Sequence, residues 1–284
     1  DASCDWSSDV CSSDLGLLGE KLTHSISPQI HSMIFNKLSM KGYYHLFEVQ
    51  KKDLKAVMGG FNIIKPMGIN VTIPYKISVM KFLDEISFEA KAIGAVNTIK
   101  FENGKTIGYN TDYFGIGMLF SKNDIQVKNK NATIFGNGGV AVTMVNYLLN
   151  NGISKITVVT RNVSKLKENS SFNSCRLISY DEINEIKDND IAINCTPLGM
   201  YPNLDNSPIE KKYIGKFTSA VDMIYNPKET LFLKYAKAAG LKSVNGLYML
   251  VGQATCAQEI WNNIEISKNI IDEIYEELSR GVEN

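Results

Sequence analysis

The chain has 284 residues, more than the usual single-domain size and enough for two compact domains. Hydrophobic residues make up 44% and charged residues 21%, which allows a full buried core, so disorder is not the default expectation. Thirty basic residues balance thirty acidic ones, so no overall field favours nucleic acid or an anionic membrane, and any bound anion must be held locally.

Residues 1–14 are crowded with Ser, Asp and Cys, show neither strand nor helix periodicity, and read as foreign to the rest of the chain. Leu15 to Gly19 reads as a strand end running into a loop. Pro28 to Met40 reads as a helix with Ser27 as its N-cap and Pro28 at the first helical position. Next come a strand at Tyr43–Val49, a helix from Lys52 to about Gly59, a strand at Met67–Ile73 and a short helix after Pro74. Such alternation predicts a parallel α/β sheet. Ala95–Phe101 then enters a hairpin through Glu102-Asn103-Gly104-Lys105, and a helix runs from Asp112 to about Phe120.

A second α/β series starts with a strand at Ala132–Phe135 and a helix at Val140–Leu149. Further strands are expected at Lys155–Thr160, Asp190–Asn194 and Ser219–Met223. This is a Rossmann-like progression, and the tail from Leu247 to Leu278 reads as helical. The expected divisions are 1–14, 15–112, 113–245 and 246–284.

The five cysteines lack C-x-x-C spacing and read as reduced thiols, and His24, His31 and His45 come without a ligand cluster, so no metal is expected. No apolar run is long enough for a membrane span and no secretory pattern opens the chain, which leads us to expect a cytoplasmic protein.

Between the strand ending at Phe135 and the next helix stands Gly136-Asn137-Gly138-Gly139-Val140-Ala141. One glycine permits a tight turn, the next lets backbone approach a pyrophosphate, and the helix N-terminus offers oriented N–H groups to the anion. The spacing departs from the full G-x-G-x-x-G, so its placement between strand and helix carries the argument. A dinucleotide site for NAD has a carboxylate roughly 20 residues further on, to grip the ribose 2′-hydroxyl. Here the sequence reads Thr160-Arg161-Asn162-Val163-Ser164-Lys165. Arg161 and Lys165 suit a 2′-phosphate instead, which points to NADP.

Four segments of the first half gather polar groups near strand ends: His24-Ser25-Ile26-Ser27-Pro28, Asn70-Val71-Thr72-Ile73-Pro74-Tyr75-Lys76, Gly94-Ala95-Val96-Asn97-Thr98 and Tyr109-Asn110-Thr111-Asp112. Capping alone would account for Ser27 or Asp112, and a lone lysine is ordinarily a solvated surface group. Asn70 and Thr72 share a face of an apolar strand and need hydrogen-bond partners.

These segments run in the same order as those of the shikimate dehydrogenase family, which they resemble from Gly16 to about Trp261. Asn194-Cys195-Thr196-Pro197-Leu198-Gly199-Met200, Val221-Asp222-Met223-Ile224-Tyr225-Asn226-Pro227 and Asn245-Gly246-Leu247-Tyr248-Met249-Leu250-Val251-Gly252-Gln253-Ala254 complete the resemblance. It implies an α/β fold with an N-terminal substrate domain, a Rossmann-like NADP-binding domain, and C-terminal helices returning to the first. The implied reaction is NADPH-dependent reduction of 3-dehydroshikimate to shikimate, within aromatic amino acid biosynthesis. By the same resemblance Ser25 and Ser27 would hold the substrate carboxylate with Tyr225 nearby, and Asn70, Thr72, Asn97 and Gln253 the ring oxygens. Lys76 and Asp112 would form the catalytic pair. NADP would meet Gly136, Asn137, Gly138, Gly139, Val140, Thr160, Arg161, Lys165, Thr196, Met223, Gly246 and Met249.

Two departures stand out. The family usually has Asn-Arg-Thr where this chain has Thr160-Arg161-Asn162, and it usually opens with an apolar β-strand that residues 1–14 do not supply, so the first strand is expected to be largely absent.

Hydride arriving at a carbonyl carbon creates an alkoxide, so a proton donor or cation must stand within hydrogen-bond reach of that oxygen. Lys76 can serve, as an acid or as a fixed charge. Two other readings stay open: an NAD-dependent quinate/shikimate dehydrogenase, and a catalytically silent dinucleotide-binding regulatory module. The expected partner is the small-molecule substrate, and the sequence is compatible with a homodimer.

Overall fold

Leu15, Leu17 and Leu18 decide where the first strand goes, since each is at most 6% exposed and needs apolar cover on both faces of a sheet. The computed structural model describes residues 13–187 and 189–281. In chain order the first part comprises β1 (Ser13–Gly19), α1 (Ser27–Lys37), β2 (Gly42–Glu48), α2 (Leu54–Ile64), β3 (Gly68–Val71) and β4 (Glu85–Ile86). Then come α3 (Phe88–Ile93), β5 (Thr98–Glu102), β6 (Lys105–Tyr109) and α4 (Thr111–Lys122). The strands lie in the order β2-β1-β3-β5-β6-β4.

The expectation of a largely absent first strand is overturned. β1 has seven residues and pairs in parallel with β2 on one side and β3 on the other, with Ser13 and Asp14 matched to Gly42 and Tyr43. Parallel pairing is made by backbone groups, so the polar Ser13 and Asp14 extend a strand that the leucines anchor. The remainder of the segment read as foreign, residues 1–12, lies outside the described residues.

The sheet is mixed, not parallel throughout: β3 pairs antiparallel with β5, and β5 with β6. The β5–β6 connection is the hairpin expected from its turn sequence, with Asn103 and Gly104 at φ +52° and +76°. Two successive positive φ values match the right-handed twist of the flanking strands.

The second part comprises β7 (Asn131–Phe135), α5 (Gly139–Asn150), β8 (Lys155–Val159), α6 (Val163–Lys167), β9 (Arg176–Ile178), β10 (Ile191–Asn194) and α7 (Lys211–Ile214). It continues with β11 (Ser219–Asp222), α8 (Leu231–Ala238), β12 (Lys242–Val244), α9 (Leu247–Asn262) and α10 (Lys268–Gly281). Its strands, all parallel, lie in the order β12-β11-β10-β7-β8-β9. That is the doubly wound dinucleotide-binding order, whose direction reverses between β7 and β10. A ligand crevice belongs at the carboxyl ends of those two strands.

By contact density the chain divides into two units, one holding the chain through Thr111 together with Ala254–Ile274, the other Asp112–Gln253 and the chain from Tyr275. Within the first unit Trp261 of α9 donates from Nε1 to the Ile99 carbonyl at 2.9 Å. Its indole lies so close to β3 that a Cβ at Gly68 would sit 2.0 Å from Nε1, which only glycine avoids. The helical tail is broken where Asn263 takes φ +52°, a left-handed residue closing α9. No helix among the described residues is long and apolar enough to cross a membrane.

Candidate functional site

Hydrogen bonds in the first unit tie three of the four polar segments together, those carrying Asn70 and Lys76, Asn97, and Tyr109 to Thr111. The Val71 N–H donates to Asn97 O at 2.8 Å, the Asn97 N–H to Tyr109 O at 3.0 Å, and the Val96 N–H to Lys76 O at 2.8 Å. The Lys76 turn is thereby tied by its backbone to the segment carrying Asn97. Side chains reinforce this: Asn97 Nδ2 donates to Thr111 Oγ1 at 3.0 Å, and Asn97 Oδ1 accepts from the Thr111 N–H at 2.7 Å. Asn97 and Thr111 are 3% and 0% exposed, so these bonds satisfy polar groups that water does not reach.

Asn70 is equally buried and its amide is largely committed. Nδ2 donates to Asn97 O and to Thr98 Oγ1, and Oδ1 accepts from the Tyr44 hydroxyl at 2.7 Å. Both amide protons are spent inside the protein, so Asn70 has no donor left for a ligand. Thr72 is half-buried one residue beyond β3, its N–H bonded to Leu18 O.

Ser27 is not the N-cap of α1. Ile26 takes that place, and Ser27 is the first helical residue with Pro28 after it. Ser25 is the reason: its Oγ accepts from the Ser27 N–H at 3.3 Å, starting the helix one residue early. Ser25 and Ser27 are both half-buried.

Lys76 belongs to the first unit. Asp112, which is 8% exposed and stands in the first turn of α4, belongs to the second. Within the second unit α4 packs closely on α9, where an added Cβ at Gly115 would lie 2.6 Å from Met249 O and 3.1 Å from Gln253 N. Gln253 is half-buried and donates from Nε2 to Leu250 O. Tyr225 comes after β11, and burial pushes its phenol up.

A cavity of about 760 Å³ opens at the carboxyl ends of β7, β8 and β10, lined by Gly136, Asn137, Gly138, Thr160, Arg161 and Thr196 among others. That is the size of a small-molecule site, placed at the topological switch point. Gly136 takes φ +98°, and a Cβ there would lie 2.9 Å from Cys195 O, so no other residue makes this turn without strain. Gly138 and Gly139 face open space at the start of α5, and Val140 lies in its first turn. This cradle fits a dinucleotide pyrophosphate, with backbone and helix end unobstructed.

Arg161 stands on the cavity wall; Lys165, exposed one turn into α6, is not among the lining residues. Asn162 caps α6 by accepting from the Lys165 N–H at 2.9 Å, which explains an Asn in this position. Reading the sequence missed Tyr180, Asp181 and Glu210, which also line the cavity. Tyr180 and Asp181 come just after β9, a strand of three residues too short to leave a periodic signal.

Beneath the cavity lies a buried polar knot. Asn194 Oδ1 accepts from the Thr196 N–H and hydroxyl at 2.9 and 2.7 Å, and Asn194 Nδ2 donates to Asp222 Oδ1 at 3.0 Å. Asp222 also accepts from the Ile224 N–H at 3.0 Å and from the Thr230 hydroxyl at 2.6 Å. The knot fixes Thr196 and the chain on either side of Met223, whose N–H reaches Asn194 O; the Gly246 N–H in turn reaches Ile224 O.

Burial raises the Asp222 carboxyl to about 6 against the pull of its three donors. A carboxyl raised on folding stabilises most below its unfolded value near 4, and that contribution is lost as pH rises through about 6. Relative to Asp222→Asn, the protein should lose roughly 1 to 1.5 kcal/mol between pH 5 and 7.5. Urea titrations of both proteins at the two pH values check this, and a constant difference between them would refute it.

A family model described as the shikimate dehydrogenase substrate binding domain matches residues 17–99, and one described as shikimate/quinate 5-dehydrogenase matches residues 119–211. A shikimate dehydrogenase (NADP(+)) of Clostridium beijerinckii is 48% identical over 92% of this chain and 96% of its own. The solved chorismate mutase/shikimate 5-dehydrogenase fusion protein of Clostridium acetobutylicum is 51% identical with a TM-score of 0.93, covering 96% of this chain and 99% of the solved one. A shikimate 5-dehydrogenase of Thermus thermophilus, solved with NADP(H) and shikimate, is 28% identical with a TM-score of 0.82, covering 93% and 98%.

Proposed function

The chain belongs to the shikimate dehydrogenase family, and from that premise we propose that it catalyses the reversible NADPH-dependent reduction of 3-dehydroshikimate to shikimate. The observation that carries the reading is the cavity at the β7/β10 switch point, with its obligatory glycine turn and Arg161 on the wall. We assign the cofactor to the cavity of the second unit.

In this reading Ser25 and Ser27 receive the substrate carboxylate with Tyr225, while Thr72, Asn97 and Gln253 meet ring oxygens. Asn70, its two amide protons spent on Asn97 and Thr98, meets the ring by accepting from a hydroxyl at Oδ1. Lys76 stabilises or protonates the oxygen that becomes an alkoxide, and Asp112 orients it and accepts from a ring hydroxyl. Bound NADPH supplies the hydride. Gly136, Asn137, Gly138, Gly139 and Val140 would hold its pyrophosphate, Thr160, Arg161 and Lys165 its adenosine phosphate, and Thr196, Met223, Gly246 and Met249 the nicotinamide end. A cytoplasmic enzyme, with a homodimer as the assembly to check by sedimentation, completes the reading.

Steady-state assays with shikimate and quinate, each against NADP and NAD, test it. The expected outcome is the highest kcat/KM for shikimate with NADP. Quinate with NAD as the best pair, or no turnover with any, would overturn the proposal.

A further inference from the structure

A second cavity, of about 500 Å³, lies in the first unit, and none of its lining residues has a part in the reaction as described. Four lysines stand on its wall: Lys51 and Lys52 from the turn before α2, Lys55 from the first turn of α2, and Lys81 from the turn before β4. No carboxylate lines it. Asp53 stands between Lys52 and Lys55 in the sequence but not on the wall, and none of the four ammonium groups is ion-paired with a carboxylate among the described residues. Each of these lysines is exposed, and one exposed lysine is ordinarily a solvated group. Four around one concavity behave differently, because a cleft lined by one sign of charge focuses its field and concentrates counter-ions. The chain as a whole carries no net charge, so this attraction is local to the cavity.

The lining selects among anions. Ammonium groups are compact point charges with rotatable donors and suit the tetrahedral oxygens of a phosphate, whereas a planar carboxylate is matched better by a guanidinium fork. Several positive charges also favour a dianion over a monoanion. The rest of the wall is largely apolar, formed by Pro74, Phe82 and the ring of Tyr75 among others. The Tyr75 hydroxyl donates to Val49 O and so has no proton left for a ligand. Lys81 Nζ lies 5.0 Å from the centre of the Phe82 ring, which sets positive charge beside an aromatic wall. The volume falls within the range of small-molecule sites and exceeds what a bare phosphate ion fills.

We propose that this cavity binds a small organic phosphate monoester, its phosphate among the four lysines and its organic body against Pro74, Tyr75 and Phe82, and that the bound ligand changes turnover through the turn carrying Lys76. Pro74 and Tyr75 directly precede Lys76 in the chain. The turn is one hydrogen-bonded piece: the Tyr75 N–H donates to Thr72 O, the Val79 N–H to Tyr75 O and the Phe82 N–H to Val79 O, each at 2.9 Å. A ligand seated against Pro74, Tyr75 and Phe82 therefore bears on both ends of it. Binding does not depend on the proposed reaction, while the effect on turnover rests on the reading of Lys76 as catalytic.

Phenyl phosphate is the probe, titrated by calorimetry into the protein in phosphate-free buffer, with shikimate and NADP in excess so that the reaction site is filled. It should bind once per chain and about tenfold or more tighter than benzoate, which keeps the ring with a single charge, or inorganic phosphate, which has no ring. Lys51→Gln combined with Lys81→Gln should weaken that binding by about tenfold or more, the order of a charge-assisted hydrogen bond, and leave turnover without phenyl phosphate as it was. Saturating phenyl phosphate should alter the kcat of the unsubstituted protein by roughly twofold or more at an unchanged KM for NADP, and the double variant should not respond. No binding with the reaction site filled, equal binding of the three probes, or undiminished binding by the double variant would overturn the site. Binding without a change in kcat would overturn the effect on turnover alone. If Lys76→Ala turns over normally, the reading of Lys76 falls by itself, and calorimetry still decides the site.

Discussion

Replacing Lys76 with alanine is expected to lower turnover by roughly a hundred- to ten-thousandfold while the KM for shikimate changes far less. The charge matters most once hydride has arrived and the carbonyl oxygen carries a developing negative charge, so its loss is felt in the transition state and little in the ground state. The Lys76 carbonyl accepts from the Val96 N–H in the fabric that also holds Asn97, so the substitution removes the ammonium without disturbing the turn. Lys76→Arg separates the two roles open to this residue. Arginine keeps the charge but does not release a proton, so substantial recovery of turnover would identify electrostatic stabilisation, and none would identify proton donation. Asp112→Asn should also be impaired, with the double variant losing less than the two single losses combined. Near-normal turnover in Lys76→Ala would remove Lys76 from the mechanism.

What could be read from the residues alone depended on whether the physics was local. The Gly136 turn was legible because a strand, a positive-φ glycine and a helix start are all written within a few residues. The β5–β6 hairpin was legible for the same reason, through Asn103 and Gly104. β1 was misjudged at Ser13 and Asp14 because their place comes from parallel partners about thirty residues away in the chain. Ser27 was misplaced by one residue because its neighbour Ser25 competes for the same N–H. α8 went unread although Thr230 caps it by accepting from the Leu233 N–H, since its eight residues carry too few turns for a clear period. An isolated amide in an apolar strand gives no sign of its partners, and only the fold shows that the Asn70 amide protons go to Asn97 and Thr98 while Oδ1 accepts from Tyr44.

Cofactor choice rested on two cations and a missing carboxylate, and the structure weights them unequally. Arg161 lines the cavity and Lys165 does not, so Arg161→Gln alone should raise the KM for NADP by roughly ten- to a hundredfold, the range of a charge-assisted contact. Lys165→Gln should add only a small further increment, as expected for an exposed cation screened by solvent. The KM for NAD, which lacks the 2′-phosphate, should stay nearly constant in both variants, so the NADP-over-NAD preference narrows mostly at the first substitution. Asp181 sharpens the test. It lines the same cavity on the residue after Tyr180, and its carboxylate repels a 2′-phosphate that Arg161 no longer neutralises. Asp181→Asn in the Arg161→Gln background should therefore recover part of the lost NADP affinity. Steady-state kinetics with both cofactors at low and moderate ionic strength decide the matter, because a phosphate contact weakens with salt and a packing defect does not. Equal losses for NADP and NAD in Arg161→Gln would mean that the guanidinium supports the cavity without reading the 2′-phosphate.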